Sequence, residues 1–261
     1  MMFVAVGGVD WFYTMEGQGE PVLFLHGGFD SCVNYSRLLM ELAETFQVIA
    51  MDRRGHGKTR DTDAPFDYAV IAEEVREFMD ALGLESSHVI GYSDGANIGL
   101  HMASRFPEKL KSLIAISGNY KGLSGMSEGW LETMAALSVD FVREYMPETL
   151  DRYVELNPRP MPEQYIEKTK ALWNRETIIS SGALSTLQVR TLIIGGDRDI
   201  VLPEQQVEMH RLVPGSSLLL LPYGGHFIFQ DFSWSSTASC AVEICKNFLS
   251  TNFADHNRDF I

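Results

Sequence analysis

The chain carries the pattern Gly-x-Ser-x-Gly at residues 91–95, directly after an apolar run at 88–90 and before a helix-like stretch at 96–105. Glycine on both sides of Ser93 removes the Cβ atoms that would clash where a strand turns sharply into a helix. Such a turn lifts the serine out of the sheet, and the next helix directs its free N–H groups and positive dipole end to the same place. Ser93 is therefore a candidate nucleophile; the alternative is a strand-to-helix turn that happens to contain a serine.

Apolar, β-branched and aromatic runs predict eight strands, and helical spacing predicts five helices around them. The predicted strands are Phe3 to Val6, Trp11 to Met15, Val22 to Leu25, Val48 to Met51, His88 to Gly91, Leu113 to Ile116, Thr191 to Ile194 and Ser217 to Leu221. The predicted helices are Tyr35 to Thr45, Tyr68 to Leu82, Ala96 to Phe106, Pro203 to Leu212 and Thr237 to Leu249. After the first two strands, the alternation indicates a mostly parallel α/β sheet covered by helices on both faces.

The alternation stops between residues 118 and 182, where large apolar side chains are mixed with acids and three prolines interrupt residues 157–162. We interpret 118–182 as a helical cap inserted into a core made of residues 1–117 and 183–261. Some of its large side chains are expected to wall a pocket, and most to form the core of the cap itself: Met126, Trp130, Met134, Phe141, Tyr145, Met146, Tyr153 and Trp173. Trp130 is the cap residue that we expect to contact substrate. The polar tail 251–261 is expected to be loosely held.

Composition disfavours several classes of function. A formal net charge of −14 without any basic run disfavours binding to nucleic acid or to an anionic membrane, and a neutral or cationic small molecule fits better. The three cysteines have no metal-site spacing, which indicates no metal and a reducing, cytoplasmic setting. Residues 1–8 contain no basic region followed by an apolar run, and no later apolar stretch approaches the ~20 residues of a membrane span, so we expect neither secretion nor membrane anchoring. The sequence contains no feature that indicates an oligomeric state.

A serine hydroxyl needs a base within hydrogen-bond reach and a third group that orients the base. Of the seven histidines, His226 stands out because residues 223–226 are predicted to form a loop after the last strand, at the sheet edge where Ser93 lies. The loop at 195–199 follows a neighbouring strand and offers two acids. Asp199 is the preferred orienting acid, and Asp197 is the rival that could instead cap a turn.

Acyl transfer also needs two hydrogen-bond donors for the oxyanion. One is the backbone N–H of Asp94, the residue after the candidate nucleophile. The second is expected from the glycine-containing loop that follows the strand 22–25, with Gly28 preferred and Phe29 as the alternative.

Together these motifs resemble the α/β-hydrolase superfamily over residues 11–249. The matching segments, in chain order, are His-Gly-Gly at 26–28, Asp-Arg-Arg-Gly-His-Gly at 52–57, the turn around Ser93, and Asp199 with His226. The resemblance implies a doubly wound sheet of about eight strands with a cap after the sixth, and catalysis through an acyl-enzyme without cofactor or metal. It also implies that 52–57 is a structural turn, to which we give no chemical role.

Asp94 departs from most such turns, which carry an uncharged residue there. Gly-x-Ser-Asp-Gly resembles the turn of valacyclovirase-like amino-acid ester hydrolases, in which that acid binds the substrate's α-ammonium group. The alternative is a favourable interaction of the acid with the helix dipole.

The sequence therefore predicts a serine hydrolase of small carboxylic esters, with α-amino acid esters as the sharper hypothesis. A C–C bond hydrolase, enol-lactonase or perhydrolase would use the same triad. Haloalkane dehalogenases and epoxide hydrolases carry Asp where this chain has Ser93. A non-catalytic ligand-binding protein on the same fold is the alternative from a different class.

Overall fold

The computed structural model of the chain describes residues 2–251. Its strands are β1 (Met2–Val6), β2 (Val9–Glu16), β3 (Pro21–Leu25), β4 (Gln47–Met51), β5 (Ser87–Tyr92), β6 (Leu110–Ile116), β7 (Thr191–Arg198) and β8 (Ser217–Gly225). Its helices are α1 (Ser36–Ala43), α2 (Tyr68–Ala81), α3 (Asp94–Arg105), α4 (Glu128–Ala136), α5 (Val139–Tyr145), α6 (Pro147–Leu156), α7 (Pro162–Trp173), α8 (Ser181–Ser185), α9 (Pro203–Leu212) and α10 (Ser236–Ser250).

The strands form one sheet in the order β1-β2-β4-β3-β5-β6-β7-β8. The first two strands pair antiparallel with each other, β2 pairs antiparallel with β4, and the rest of the sheet is parallel. The predicted fold class, a mostly parallel eight-stranded α/β sheet, is confirmed. None of the helices within residues 2–251 is long and apolar enough to cross a bilayer.

Successive side chains of a strand point to opposite faces of the sheet. Because helices cover both faces here, the side chains of the central strands are apolar on both sides. Along β3, Leu23 and Leu25 belong to the core that includes side chains of α2, α3 and α9. Val22 and Phe24 belong to the other core, which includes side chains of α1 and α10. The carboxyl ends of β5, β6 and β7 lie at one edge of the sheet, where polar side chains that follow the strands can be accessible to a ligand.

Five helices, α4 to α8, lie between β6 and β7. The first four share an apolar core of their own, built around Met134, Val142 and Ile166, whereas Leu184 of α8 belongs to a core of the main sheet. Proline stands at the start of α6 and of α7, where its missing N–H costs no helical hydrogen bond. The division of the chain at 118–182 stays a prediction, and α8 runs across the second of its boundaries. The predicted loose tail lies outside the described residues, apart from residue 251.

Two predicted loops are strand. We expected 195–199 and 223–226 to be loops, but β7 continues to Arg198 and β8 to Gly225, and these two residues pair with each other. The register shifts between Gly196 and Arg198, which is the irregularity of a β-bulge. A Cβ atom on Gly196 would lie 2.0 Å from the carbonyl oxygen of Gly224, so glycine is what lets the two backbones continue side by side.

Candidate active site

Ser93 lies between the end of β5 and the start of α3, with φ 53° and ψ −115°. A residue with a Cβ rarely adopts a positive φ, so this backbone is strained. The flanking glycines make the turn sterically feasible: a Cβ on Gly91 would lie 2.2 Å from the oxygen of Gly95, and a Cβ on Gly95 would lie 2.0 Å from the oxygen of Leu25. The turn holds the hydroxyl at the edge of the sheet, at the start of α3.

The structure brings Ser93, His226 and Asp199 together. The Nε2 atom of His226 lies 3.1 Å from the Oγ atom of Ser93, and its Nδ1 atom lies 2.7 Å from Oδ1 of Asp199. A carboxylate accepts hydrogen bonds, so Nδ1 carries the proton and Nε2 is left to accept one. This is the geometry of a nucleophile, a base and an orienting acid.

Asp199 is held by groups besides the histidine. The hydroxyl of Ser117 donates to its Oδ2 atom, and the backbone N–H of Val201 donates to Oδ1 at 3.0 Å. Burial by itself raises the pKa of the Asp199 carboxyl, but the charge and hydrogen bond of His226 and the hydrogen bond of Ser117 outweigh burial and lower this pKa overall. Asp199 is therefore ionised at neutral pH.

Sequence reasoning missed Ser117. Ser117 directly follows β6, and looking for an acid at the strand ends does not reveal a hydroxyl. The position of Ser117 in the sequence could have revealed its role. Ser117 follows β6 and Asp199 follows the neighbouring strand β7, so the hydroxyl is expected to lie beside the carboxylate. Tyr92, inside the Gly-x-Ser-x-Gly pattern, was missed as well, and its hydroxyl donates to the backbone oxygen of His226.

The alternative acid Asp197 and the other histidines make different contacts. Asp197 is an exposed residue of β7. His88 contacts Glu20 and Ser112, and His101 contacts the backbone oxygen of Ile178. The other described histidines also have structural partners: His26 and His56 contact Arg53, and His210 contacts Ser216. His256 lies outside the described residues.

The loop expected to supply an oxyanion donor lies against Ser93. A Cβ on Gly27 would lie 3.4 Å from the Cβ of Ser93, and both Gly28 and Phe29 line the same cavity as Ser93. A Cβ on Gly28 would lie 2.2 Å from the Trp173 ring and 2.7 Å from Oδ2 of Asp94, so only glycine fits there.

The carboxylate of Asp94 is engaged by three side chains. Its Oδ2 atom accepts from Arg53 at 2.8 Å, and its Oδ1 atom accepts from the Tyr68 hydroxyl at 2.7 Å and from Nε1 of Trp173 at 2.9 Å. Burial and the nearby charge of Asp94 raise the pKa of Tyr68 well above its ordinary value, so the phenol stays a donor. Arg53 was missed by sequence reasoning, because it stands in the segment 52–57 that we interpreted as structural.

Most of that segment is structural. Asp52 accepts from the Ser31 hydroxyl at 2.7 Å and from the backbone N–H of Lys58 at 2.8 Å. Arg54 forms ion pairs with Asp61 and Glu74. Within this segment, the side chain of Arg53 binds Asp94, and His56 accepts a hydrogen bond from Arg53.

A cavity of about 1010 Å³ opens above Ser93 and His226. Six of the eight large cap side chains singled out in the sequence line it: Met126, Trp130, Tyr145, Met146, Tyr153 and Trp173. Most of the eight also contribute to the cap core, as expected, because Met134 belongs to that core and Trp130, Phe141, Met146 and Trp173 pack against it. Trp130 packs against Trp173 with ring centroids 5.5 Å apart. Within residues 2–251, no group of three or more His, Cys, Asp or Glu side chains is placed to hold a metal ion.

Comparison with known proteins identifies the family to which this fold belongs. The family model described as "alpha/beta hydrolase fold" matches residues 20–177. An uncharacterised protein of Mycobacterium tuberculosis is 26% identical, covering 96% of this chain and 81% of its own. The human protein named Serine hydrolase BPHL is 28% identical, covering 88% of this chain and 81% of its own. The solved structure of a meta-cleavage product hydrolase from Pseudomonas fluorescens superposes with a TM-score of 0.75 at 21% identity, covering 95% of this chain and 97% of that one.

Proposed function

The chain belongs to the α/β-hydrolase fold family, and from that premise we propose that it is a serine hydrolase that cleaves small carboxylic esters through an acyl-enzyme. One observation carries the proposal: His226 lies 3.1 Å from the Ser93 hydroxyl through Nε2 and 2.7 Å from the buried Asp199 carboxylate through Nδ1. A base that is oriented in this way can take the serine proton during attack on a carbonyl carbon.

In the first half of the proposed reaction, Nε2 of His226 accepts the Ser93 proton as Oγ bonds to the ester carbonyl carbon. The carbonyl oxygen becomes an oxyanion that accepts hydrogen bonds from the backbone N–H groups of Asp94 and Gly28, with Phe29 as the alternative to Gly28. Each such donor contributes on the order of 10²- to 10³-fold in rate. His226 then donates its proton to the leaving alcohol as the C–O bond breaks, and the acyl-enzyme remains.

In the second half, His226 takes a proton from a water molecule that attacks the acyl carbon. The same two N–H groups stabilise the second oxyanion. His226 returns the proton to Ser93 as the carboxylic acid leaves, which restores the starting state. Asp199 keeps the imidazole in the required tautomer and stabilises its charged form throughout.

The cavity supports a small, largely apolar ester as substrate. Its volume is at the upper end of the roughly 300–1,000 Å³ of small-molecule sites, and Trp130 and Met126 of the cap region form part of its wall. We propose that Trp130 contacts the acyl or alcohol group.

Esters of α-amino acids are the second candidate, because the described lining of the cavity contains six carboxylates and one guanidinium. A cationic ester gains from such surroundings, whereas the anionic substrates of a C–C bond hydrolase would lose. Asp94 is less suited to bind the substrate ammonium group, because the guanidinium of Arg53 already lies 2.8 Å from its carboxylate. Neutral esters are therefore the leading class.

Enol-lactonase and perhydrolase chemistry would use the same three residues, with a ring ester or hydrogen peroxide in place of the simple ester or water. These remain alternatives that a substrate panel separates. A reducing, cytoplasmic setting belongs to the same proposal, and the free thiols Cys32, Cys240 and Cys245 support it.

Labelling by a fluorophosphonate probe tests the proposal against a non-catalytic binding protein. Wild-type protein should be labelled and should hydrolyse p-nitrophenyl butyrate, and both should be lost in Ser93→Ala. His226→Gln keeps the hydroxyl but removes the base, so its labelling should be slower by about 10³-fold or more. Labelling that persists in Ser93→Ala, or none in wild type, would overturn the proposal.

A further inference from the structure

One buried guanidinium touches both sides of the expected oxyanion hole. The NH1 group of Arg53 donates to the backbone oxygens of His26 at 2.9 Å and Gly27 at 2.8 Å. Its NH2 group donates to Oδ2 of Asp94 at 2.8 Å and to Nε2 of His56 at 2.9 Å. We propose that Arg53 is a positioning residue that holds the two oxyanion donors at a fixed separation; the inference rests on the proposed ester hydrolysis.

The first donor is held through its own peptide group. The carbonyl of Gly27 and the N–H of Gly28 belong to one planar trans peptide, so they point in opposite directions. Because Arg53 binds the Gly27 carbonyl, the N–H of Gly28 is turned away from the guanidinium. Nδ1 of His26, whose ring also accepts from the backbone of Arg53, donates to the same oxygen at 2.8 Å, so two hydrogen bonds keep the peptide in that direction.

The second donor is held through a side chain. The backbone N–H of Asp94 is the other proposed donor, and the carboxylate of the same residue is bound by Arg53. Tyr68 and Trp173 bind the other oxygen of that carboxylate. Asp94 therefore has little freedom to rotate. The same guanidinium holds both Asp94 and the Gly27 peptide in position.

The charge states around Arg53 fit this role. Burial, followed by the positive charge of Arg53, holds the pKa of His26 well below its ordinary value, and the same two causes act on His56. Both imidazoles are therefore neutral. Nε2 of His56 accepts from the guanidinium, and Nε2 of His26 accepts from the backbone N–H of Arg53 at 3.2 Å. Asp94 is the one carboxylate in an ion pair with Arg53 among the described residues.

Only a planar fork can make these contacts. The guanidinium presents NH1 to the loop and NH2 to the carboxylate at the same time, whereas a lysine ammonium is a single point donor on a flexible stem. Arg53→Lys should therefore keep the charge next to Asp94 and lose the fixed separation between the two donors.

The test compares turnover with the binding of an oxyanion. A butyl trifluoromethyl ketone adds to the serine hydroxyl and forms a hemiketal oxyanion, so its Ki reports the oxyanion site directly. In Arg53→Lys and Arg53→Met we expect kcat for p-nitrophenyl butyrate to fall by about 30- to 100-fold, KM to change by less than about threefold, and Ki to rise in proportion to the loss of kcat/KM.

Arg54→Met is the matched control. Arg54 is the neighbouring buried guanidinium, it makes two ion pairs, and neither of them involves Asp94 or the loop 26–28. Its loss should lower stability and leave kcat and Ki unchanged within about threefold. If Arg53→Met does not fold, the paired variant Arg53→Met with Asp94→Asn removes both buried charges and should show the same parallel loss.

The outcomes separate the two proposals. Wild-type protein that hydrolyses the ester while folded Arg53 variants keep kcat and Ki overturns the role of Arg53 alone. A loss of kcat with an unchanged Ki also overturns it. Wild-type protein that binds the ketone in an Arg53-dependent manner without hydrolysing esters overturns the proposed function alone. Wild-type protein that does neither overturns both.

Discussion

The guanidinium of Arg53 lies 2.8 Å from the carboxylate of Asp94, and both side chains are almost completely buried. The negative charge next to Ser93 is therefore matched inside the protein before any substrate arrives. A buried carboxylate that is already paired gains less from a substrate ammonium group than an unpaired one would. This relationship changes what the acid at position 94 is expected to do.

We expect Asp94→Asn to lower kcat/KM by about tenfold on neutral and cationic esters alike, because asparagine keeps the shape but loses the charge that holds Arg53. The measurement uses p-nitrophenyl butyrate and p-nitrophenyl 2-aminobutyrate, which differ only by the ammonium group. Asp151→Asn, at an exposed carboxylate of the cavity wall, is the control and should change neither value by more than about twofold. A loss confined to the amino ester would make Asp94 the ammonium ligand instead.

Periodicity predicted the sheet because each strand is short, apolar and bounded by turn residues. All eight strands lie where the apolar runs indicated, and α9 has the predicted bounds. The largest errors fall at the carboxyl ends of β7 and β8, where Gly196 and Gly224 looked like loop residues, and β6 begins at Leu110 instead of Leu113. Because glycine has no side chain, the two backbones of β7 and β8 can instead pair through a bulge. Pairing between segments that are distant in the chain leaves no pattern in the local sequence.

The candidate site was predictable in part for a related reason. Ser93, Asp199 and His226 each follow a strand, and parallel strands bring their carboxyl ends to one edge. Ser117 and Arg53 contact residues 82 and 41 positions away, and of the two only Ser117 has a mark in the sequence, its place directly after a strand. The charge of Asp94 was visible in the sequence, but its partner was not.

Ser117→Ala should lower kcat by about three- to tenfold and leave KM unchanged. The hydroxyl donates to Oδ2 of Asp199, and a hydrogen bond to a charged group contributes about 1.5–3 kcal/mol, of which part appears in the transition state. Steady-state kinetics with p-nitrophenyl butyrate measures the effect. Ser112→Ala removes a hydroxyl from β6 that binds His88 instead, so it should keep full kcat. Equal losses in the two variants would mean that the hydroxyl of Ser117 only supports the fold.

His26 and His56 should make the protein less stable in mild acid. Their pKa values in the folded state are lowered below the ordinary value of 6.5, with burial as the first cause and Arg53 as the second. Below about pH 6.5 the unfolded chain binds protons that the folded chain does not, so each histidine removes up to about 1.4 kcal/mol of unfolding free energy per pH unit. This stability is complete above that pH and is lost progressively as the pH falls toward the folded-state values.

Urea unfolding at pH 7.5, 6.5 and 5.5 measures this slope. His56→Gln should have a shallower slope than wild type between the two lower values, because one proton fewer is taken up on unfolding. The difference between the two proteins isolates His56 from the carboxylates that also titrate in acid. Parallel curves would show that His56 is protonated as readily in the folded protein as in the unfolded chain.

Ser93→Gly should be more stable than Ser93→Ala, although both lack the hydroxyl and should be inactive. Ser93 has φ 53° and ψ −115°, a conformation that costs a residue with a Cβ about 1–3 kcal/mol and costs glycine little. Glycine also gives the unfolded chain more freedom, which offsets about 0.4–1 kcal/mol of that gain. The net expectation is a free energy of unfolding that is higher by about 1 kcal/mol in the glycine variant. The same pair of substitutions at Ser112, a buried residue inside β6, should give the opposite order, because glycine weakens a strand. If alanine were the more stable choice at both positions, the turn around Ser93 would store no strain.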